Sequence, residues 1–297
     1  MPVAVLIANP QVQPLSRKLA DGIRGELDGD ELTWLATDEA CEFRLKTGPG
    51  RARFEMVRRQ LRESRTDIAV VSDDHRRKSL LLADMDSTMI LEESLDELAA
   101  HAGVGDDVAR ITRAAMNGEI GFEDAVRRRV GRLRGLETSA IDAVLHSSIT
   151  LAPGGAELVA TMKAHGAHTV LISGGFTDFT EVVAHRLGFD EFHANRLLRR
   201  DGRLTGEVAT PILGREAKVE RLNELTRRLG LRDRDVVAVG DGANDLGMLR
   251  RAGIGVALHP KPTVAAAAEI VLDFADLAGL LFLQGYRRDA FVLPTDG

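Results

Sequence analysis

The run Leu80-Leu81-Leu82-Ala83-Asp84-Met85-Asp86-Ser87-Thr88 constrains this chain more than any other. Four apolar residues that read as a buried strand stop at two carboxylates two positions apart, followed by two hydroxyls. In a strand, residues i and i+2 share a side, so Asp84 and Asp86 are expected to face a common space. Two acids crowded at a strand end cost free energy unless a counter-charge lies near. A hard divalent cation would supply one, and a carboxylate beside such a cation can act as a nucleophile toward phosphorus. From this run alone, a strand running into an acidic turn is the competing reading.

The rest of the chain says what kind of sheet this strand joins. Apolar, β-rich runs at 80–83, 169–172, 236–239, 255–258 and 270–272 alternate with helical patterns near 155–165, 177–187, 215–229, 245–251 and 263–268. That alternation predicts an α/β fold, a doubly wound parallel sheet, with chemistry at the carboxyl ends of its strands. Residues 92–150 carry helical patterns and no convincing strand. Inserted directly after the acid pair, they read as a helical cap over the site; the alternative is a peripheral helical unit. Upstream, strands at 3–8 and 68–72, helices near 15–27 and 51–64 and an alternating stretch at 32–47 give the order βαββαβ. This is a small α+β unit of ferredoxin-like type. The wholly polar residues 72–78 are expected to be a linker. The expected division is therefore 1–78, then 79–91 with 151–297 as the core, and 92–150 as the cap.

The chain has 297 residues, 44% apolar and 28% charged, an ordinary composition for a chain with a substantial core. Its net charge of -6 argues against nucleic acid or an anionic membrane as the main partner, since both select basic faces. The short arginine runs at 127–129, 227–228 and 250–251 lie beside acids in helical stretches and read as solvated faces. Cys41, the one cysteine, cannot close an intrachain disulfide. There is no apolar run of spanning length and no signal-peptide layout, which makes the cytoplasm the expected compartment. A small molecule is the expected partner, and a homodimer stays open as the assembly.

Three more features make chemical demands at other points of the fold. Leu171-Ile172-Ser173-Gly174-Gly175-Phe176 ends a strand in a hydroxyl and two glycines. There, backbone N–H groups can approach an anion at a helix start. Lys218 lies in the helical stretch Gly214-Arg215-Glu216-Ala217-Lys218-Val219. Val239-Gly240-Asp241-Gly242-Ala243-Asn244-Asp245 again breaks a buried strand into glycines, acids and an amide. Asp241 would complete an oxygen ligand set, with Asn244 and Asp245 orienting it or anchoring the lysine.

Taken in order, these features resemble the four motifs of the haloacid dehalogenase-like phosphohydrolases. Asp84-x-Asp86-x-Thr88 resembles the first, Ser173 the second, Lys218 the third, and Gly240-Asp241-Gly242-x-Asn244-Asp245 the fourth. Glu92-Glu93, Gly121-Phe122-Glu123, Arg127-Arg128-Arg129-Val130 and Ser173-Gly174-Gly175-Phe176 are similar to the phosphoserine phosphatase branch of that superfamily. The likeness covers roughly residues 79–285. Residues 1–78 lie outside it, and their topology is compatible with an ACT-like domain.

The resemblance implies a Mg²⁺-dependent hydrolysis of O-phosphoserine to serine and phosphate, the last step of serine biosynthesis. Asp84 is implied as nucleophile and Asp86 as the acid–base that protonates the leaving alkoxide and then deprotonates water. Mg²⁺ is implied on the Asp84 and Asp241 carboxylates and the Asp86 main-chain carbonyl. Lys218, Ser173, Gly174 and Asn244 are implied around the phosphoryl group. Glu93 would pair with the substrate ammonium and Arg129 with its carboxylate, while Met89 and Phe122 form an apolar wall. Two alternatives stay open. One is hydrolysis or transfer of phosphate from another small ester; the other is an amino-acid-binding regulatory protein working through residues 1–78.

Overall fold

The computed structural model describes residues 1–116 and 119–293; residues 117–118 of the expected cap and 294–297 of the expected core lie outside them. The chain begins with β1 (Pro2–Ala8), α1 (Arg17–Glu26), β2 (Thr33–Ala36), β3 (Ala40–Arg44), α2 (Arg51–Glu63) and β4 (Thr66–Ser72). The four strands form an antiparallel sheet in the order β2-β3-β1-β4. Alternation along β1 sends Ala4, Leu6 and Ala8 toward α1 and α2, where they meet Leu15, Ile23, Val57 and Leu61. Val3, Val5 and Ile7 point the other way and join the hydrophobic core of the rest of the molecule. A strand buried on both faces reads as a continuous apolar run, as Val3–Ala8 does.

Then come β5 (Leu80–Ala83), four helices in succession, α3 (Ser94–His101), α4 (Gly105–Met116), α5 (Phe122–Gly131) and α6 (Ser139–Ser147), and α7 (Gly155–Ala164). These are followed by β6 (His168–Phe176), α8 (Thr177–Leu187), β7 (Glu191–Asn195), β8 (Leu197–Arg200), β9 (Arg203–Val208) and α9 (Arg215–Leu229). The chain closes with β10 (Val236–Gly240), α10 (Leu246–Arg251), β11 (Ile254–Leu258), α11 (Pro262–Ala265), β12 (Ile270–Leu272) and α12 (Gly279–Leu283). A six-stranded parallel sheet runs β12-β11-β10-β5-β6-β7. Leu80 and Leu82 pack on one of its faces, Leu81 and Ala83 on the other. β5 lies between β10 and β6, so the ends of the strands carrying the acid pair, Asp241 and Ser173 are neighbours.

Three strands do not follow from the apolar-run pattern. β7 is an edge strand, half-buried except at Asn195, and its polar residues hide it. β8 and β9 form a separate two-stranded ribbon. Asp201 and Gly202, both at positive φ (51° and 73°), make its turn, and Asp-Gly is a hairpin signal. The ribbon reaches the helical insertion through a bridge between Glu137 and Arg203 and a hydrogen bond from Gly135 N to Leu204 O (2.8 Å).

Residues 72–78 are not a loose linker. Arg76 and Lys78 are buried. Arg76 donates to the carbonyls of Leu283 (2.7 Å) and Phe282 (3.1 Å) and pairs with Glu42 (2.7 Å). Lys78 Nζ donates to the carbonyls of His75 and Arg234, both at 2.7 Å. A buried cation needs such oxygen partners, and here both supply a clamp between the first sheet and the rest. On β4, Asp67 accepts the backbone N–H groups of Asp273 (2.8 Å), Phe274 (2.9 Å) and Ala275 (2.8 Å). Among the described residues, no helix is long and apolar enough to cross a membrane.

Candidate active site

Asp84 continues the β5 register, its N–H donating to Val239 O (3.0 Å). The chain then turns tightly. Thr88, Met89 and Ile90 all donate to Met85 O at 2.9–3.2 Å, and Ser87 takes φ +55°. This turn separates the two acids that strand geometry alone treats alike. Asp84 Oδ1 receives Lys218 Nζ at 2.5 Å. Asp86 instead accepts the Ser94 N–H on Oδ1 (2.8 Å) and the Ser173 hydroxyl on Oδ2 (3.1 Å). A Cβ at Gly175 would lie 2.9 Å from Asp86 Oδ2, so only glycine leaves that carboxylate its place.

Lys218, on the first turn of α9, is 3% exposed and also donates to Asp245 Oδ1 at 2.6 Å. Burial alone would lower its pKa, but the touching carboxylates of Asp245 and Asp84 outweigh burial and hold the ammonium charged. Asp245 sits beneath the end of β10 because position 240 is glycine; a side chain there would collide with its carboxyl group. Its Oδ2 accepts the Gly242 N–H (3.0 Å). Asn244 lies half-buried beside Gly242.

Asp84, Asp241 and Asp245 form a buried cluster in which one carboxylate oxygen from each lies within 4.8 Å of the others. The Asp86 carboxylate is not in that cluster; Asp245 is there. Lys218 is one cation against three acids. Burial, and then the charge of Asp245, pushes Asp84 upward despite the lysine. Burial, then Asp245 and Glu93, pushes Asp241 up to about 7. Three crowded oxygen donors with unbalanced charge fit a hard divalent cation. Thr88 Oγ1 borders the cluster, 3.5 Å from Asp241 Oδ1.

On the open side of Asp86 lies the helical insertion. Burial, followed by the charge of Glu93, raises the pKa of Asp86, while the Ser94 and Ser173 hydrogen bonds oppose the shift. Glu93 accepts the Ser87 hydroxyl (3.0 Å). Of the three consecutive arginines on α5, Arg127 approaches Glu123 at 3.7 Å on the surface and Arg128 is exposed. Arg129 turns inward, and its Nε is buried with no hydrogen-bond partner among the described residues. Burial works against its charge, and Asp96, Glu93 and Asp86 are the acids that sustain it. An orphaned polar atom of this kind is rare in folded proteins and calls for a partner.

Phe122 opens α5 and is 44% exposed; its ring lies at the seam between insertion and core, 3.2 Å from where a Cβ on Gly214 would stand. Met89, expected beside it, is instead fully buried in the core with its terminal methyl toward Gly155. Asn195 escapes the sequence reading because β7 does. Its amide donates to Gly174 O (2.8 Å) and accepts the Leu213 N–H (2.7 Å). It thereby ties the Ser173-Gly174 turn to the segment leading into Lys218. Asp96 lies three positions after Glu93 on α3, a spacing that brings side chains together on a helix.

The chain is similar to known proteins of one family. A phosphoserine phosphatase of Streptomyces coelicolor is 43% identical over 225 residues, 75% of this chain and 55% of that protein. One from Lactococcus lactis is 42% identical over 204 residues, 69% of this chain and 94% of that protein. The chain spans 55–65% of the length of the first curated relatives it matches. A probable phosphoserine phosphatase of Vibrio cholerae, solved unliganded, superposes with a TM-score of 0.78 at 32% identity, covering 97% of this chain and 88% of that one. The haloacid dehalogenase-like hydrolase family model matches residues 81–250, the span from β5 to α10 that holds Asp84, Ser173, Lys218 and Asp241. The separation of Asp84 from Asp86, with one lysine bridging two of the cluster acids, is thus the site of a chain that belongs to the haloacid dehalogenase-like hydrolase family.

Proposed function

We propose that this chain is a Mg²⁺-dependent phosphoserine phosphatase of the cytoplasm, acting on the small molecule O-phospho-L-serine in the last step of serine biosynthesis. The observation that carries the reading is the unequal setting of the two acids: Asp84 against Lys218, Asp86 against neutral donors. Asp84, paired with the lysine, attacks phosphorus as the carboxylate; the ester P–O bond breaks and an aspartyl-phosphate forms. Asp86, with its raised pKa, delivers its proton to the departing serine oxygen. It then takes a proton from the water that attacks the same phosphorus, which frees phosphate and restores Asp84. Lys218, the Ser173 hydroxyl, the Gly174 amide and Asn244 surround the phosphoryl oxygens, where charge accumulates. Asp84, Asp241 and the Asp86 carbonyl, with Asp245 in the same cluster, would hold Mg²⁺, which neutralises repulsion between nucleophile and phosphoryl group when bound.

Substrate choice rests on the inward face of the insertion. The unpartnered Arg129 Nε suits the substrate carboxylate, Glu93 suits its ammonium, and Phe122 closes the apolar side. We assign residues 92–150 as the cap, 79–91 with 151–297 as the core and 1–78 as a separate ACT-like fold docked on it. A panel of phosphorylated metabolites, assayed for phosphate release with Mg²⁺, tests the reading. L-phosphoserine should be clearly preferred; a preference for another ester would leave the chemistry and overturn the substrate.

A further inference from the structure

A second cavity, of about 470 Å³, lies away from the acid cluster, where α2 and β4 of the first sheet face the β11–α11 loop and the start of the closing segment. Its volume is in the range of about 300–1,000 Å³ that small-molecule sites occupy. Helical spacing brings Arg58, Arg59 and Arg62 to one wall. Pro260, Pro262 and Phe274 also line it. The opening is held rigidly, because Asp67 bonds three successive backbone N–H groups at 273–275 across the same junction.

The three guanidinium groups are poorly satisfied. Arg58 and Arg62 approach the one carboxylate of Asp273 at 3.9 and 3.8 Å, beyond hydrogen-bond distance. Arg59 makes no ion pair or side-chain hydrogen bond among the described residues. The other acids of the lining are already engaged: Glu55 accepts Arg51 at 2.9 Å, and Asp67 is spent on the backbone. Convergent planar donors with open forks are suited to a phosphate group, and the proline and phenylalanine wall to an apolar body.

We propose that this cavity is a phosphate-binding site separate from the catalytic one, with the phosphate on Arg58, Arg59 and Arg62 and any organic part against Pro260, Pro262 and Phe274. The two prolines bracket Lys261, whose charge acts on Asp241 and Asp96. The cavity therefore backs onto a loop that borders the active site.

Calorimetry on the full chain tests the proposal without reference to turnover. Inorganic phosphate and phenylphosphonate, which has no ester bond to cleave, are titrated into wild type and an Arg58→Ala/Arg62→Ala variant. Wild type should show two sites, and the variant should lose one of them or weaken it about tenfold or more. Tighter phenylphosphonate than phosphate at that site points to a phosphate ester as the natural ligand; equal affinities point to free phosphate. A single site in wild type, or two sites unchanged in the variant, overturns the proposal. Should the double variant not fold, Arg59→Glu, at an exposed position, carries the same expectation and the same refutation.

Discussion

Replacing Asp241 by Asn should stabilise the cation-free protein at pH 8 while abolishing its dependence on added Mg²⁺. Asp241 is 8% exposed, and burial, then Asp245 and Glu93, moves its pKa from 3.8 to about 7. Because the folded value lies above the unfolded one, the stability linked to this group is fully present below about pH 4 and is lost progressively as pH rises toward 7. The interval corresponds to about 4 kcal/mol, at about 1.36 kcal/mol for each pH unit. Local relaxation around the ionised group offsets roughly half of this, leaving about 2 kcal/mol. Asn has the same shape and stays neutral throughout. Urea unfolding in the presence of a chelator, compared at pH 4, 6 and 8, should show the variant's advantage growing from near zero to about 2 kcal/mol with an unchanged slope. Adding Mg²⁺ at pH 8 should reverse the order, since the ligand stabilises only the protein that binds it. A difference between the two proteins that is the same at every pH would refute the crowding argument, as would a wild type more stable than the variant at pH 8 in chelator.

Asp84→Asn should lower phosphate release by about a thousandfold or more, and substantial turnover in that variant would remove Asp84 as the nucleophile. Arg129→Ala should raise KM for phosphoserine about tenfold or more while leaving KM for p-nitrophenyl phosphate nearly unchanged; equal shifts would show that Arg129 does not read the carboxylate. Arg76→Leu removes the clamp on Glu42, Phe282 and Leu283 and should destabilise the protein by about 2–4 kcal/mol. An unaltered urea midpoint would mean that the docking of the first sheet does not depend on it.

Legibility from sequence followed burial. The strands β5, β10, β11 and β12 are apolar on both faces, so Leu80–Ala83 and its partners announce themselves as strands of a parallel sheet; their order is seen only in the structure. β7 sits at the sheet edge with His193 and Glu191 half-buried, and no periodicity separates it from a loop. The settings of Asp84 and Asp86 differ because the Met85–Ile90 turn bends the second acid toward Ser94 and Ser173. That bend depends on backbone bonds to a single carbonyl, which residue type does not encode. Residues 72–78 look like solvent-facing charge, yet Arg76 and Lys78 are buried, because carbonyls more than 150 positions away accept from them. Charge in a sequence marks cost of burial, not exposure. Where distant oxygens meet that cost, composition misleads.

The docking of the first sheet on the closing segment has a consequence for biosynthesis. Asp67 finds its three partners 206–208 positions later, and Val3, Val5 and Ile7 are covered by the core that includes Leu277, Leu280 and Leu281. Translation adds about 5–20 residues per second, so this apolar face stands uncovered for roughly 14–54 s after it leaves the ribosome. The first sheet emerges well before the segment that covers it. A nascent chain stalled before residue 273 would present that face to chaperones, and a released one to other copies of itself.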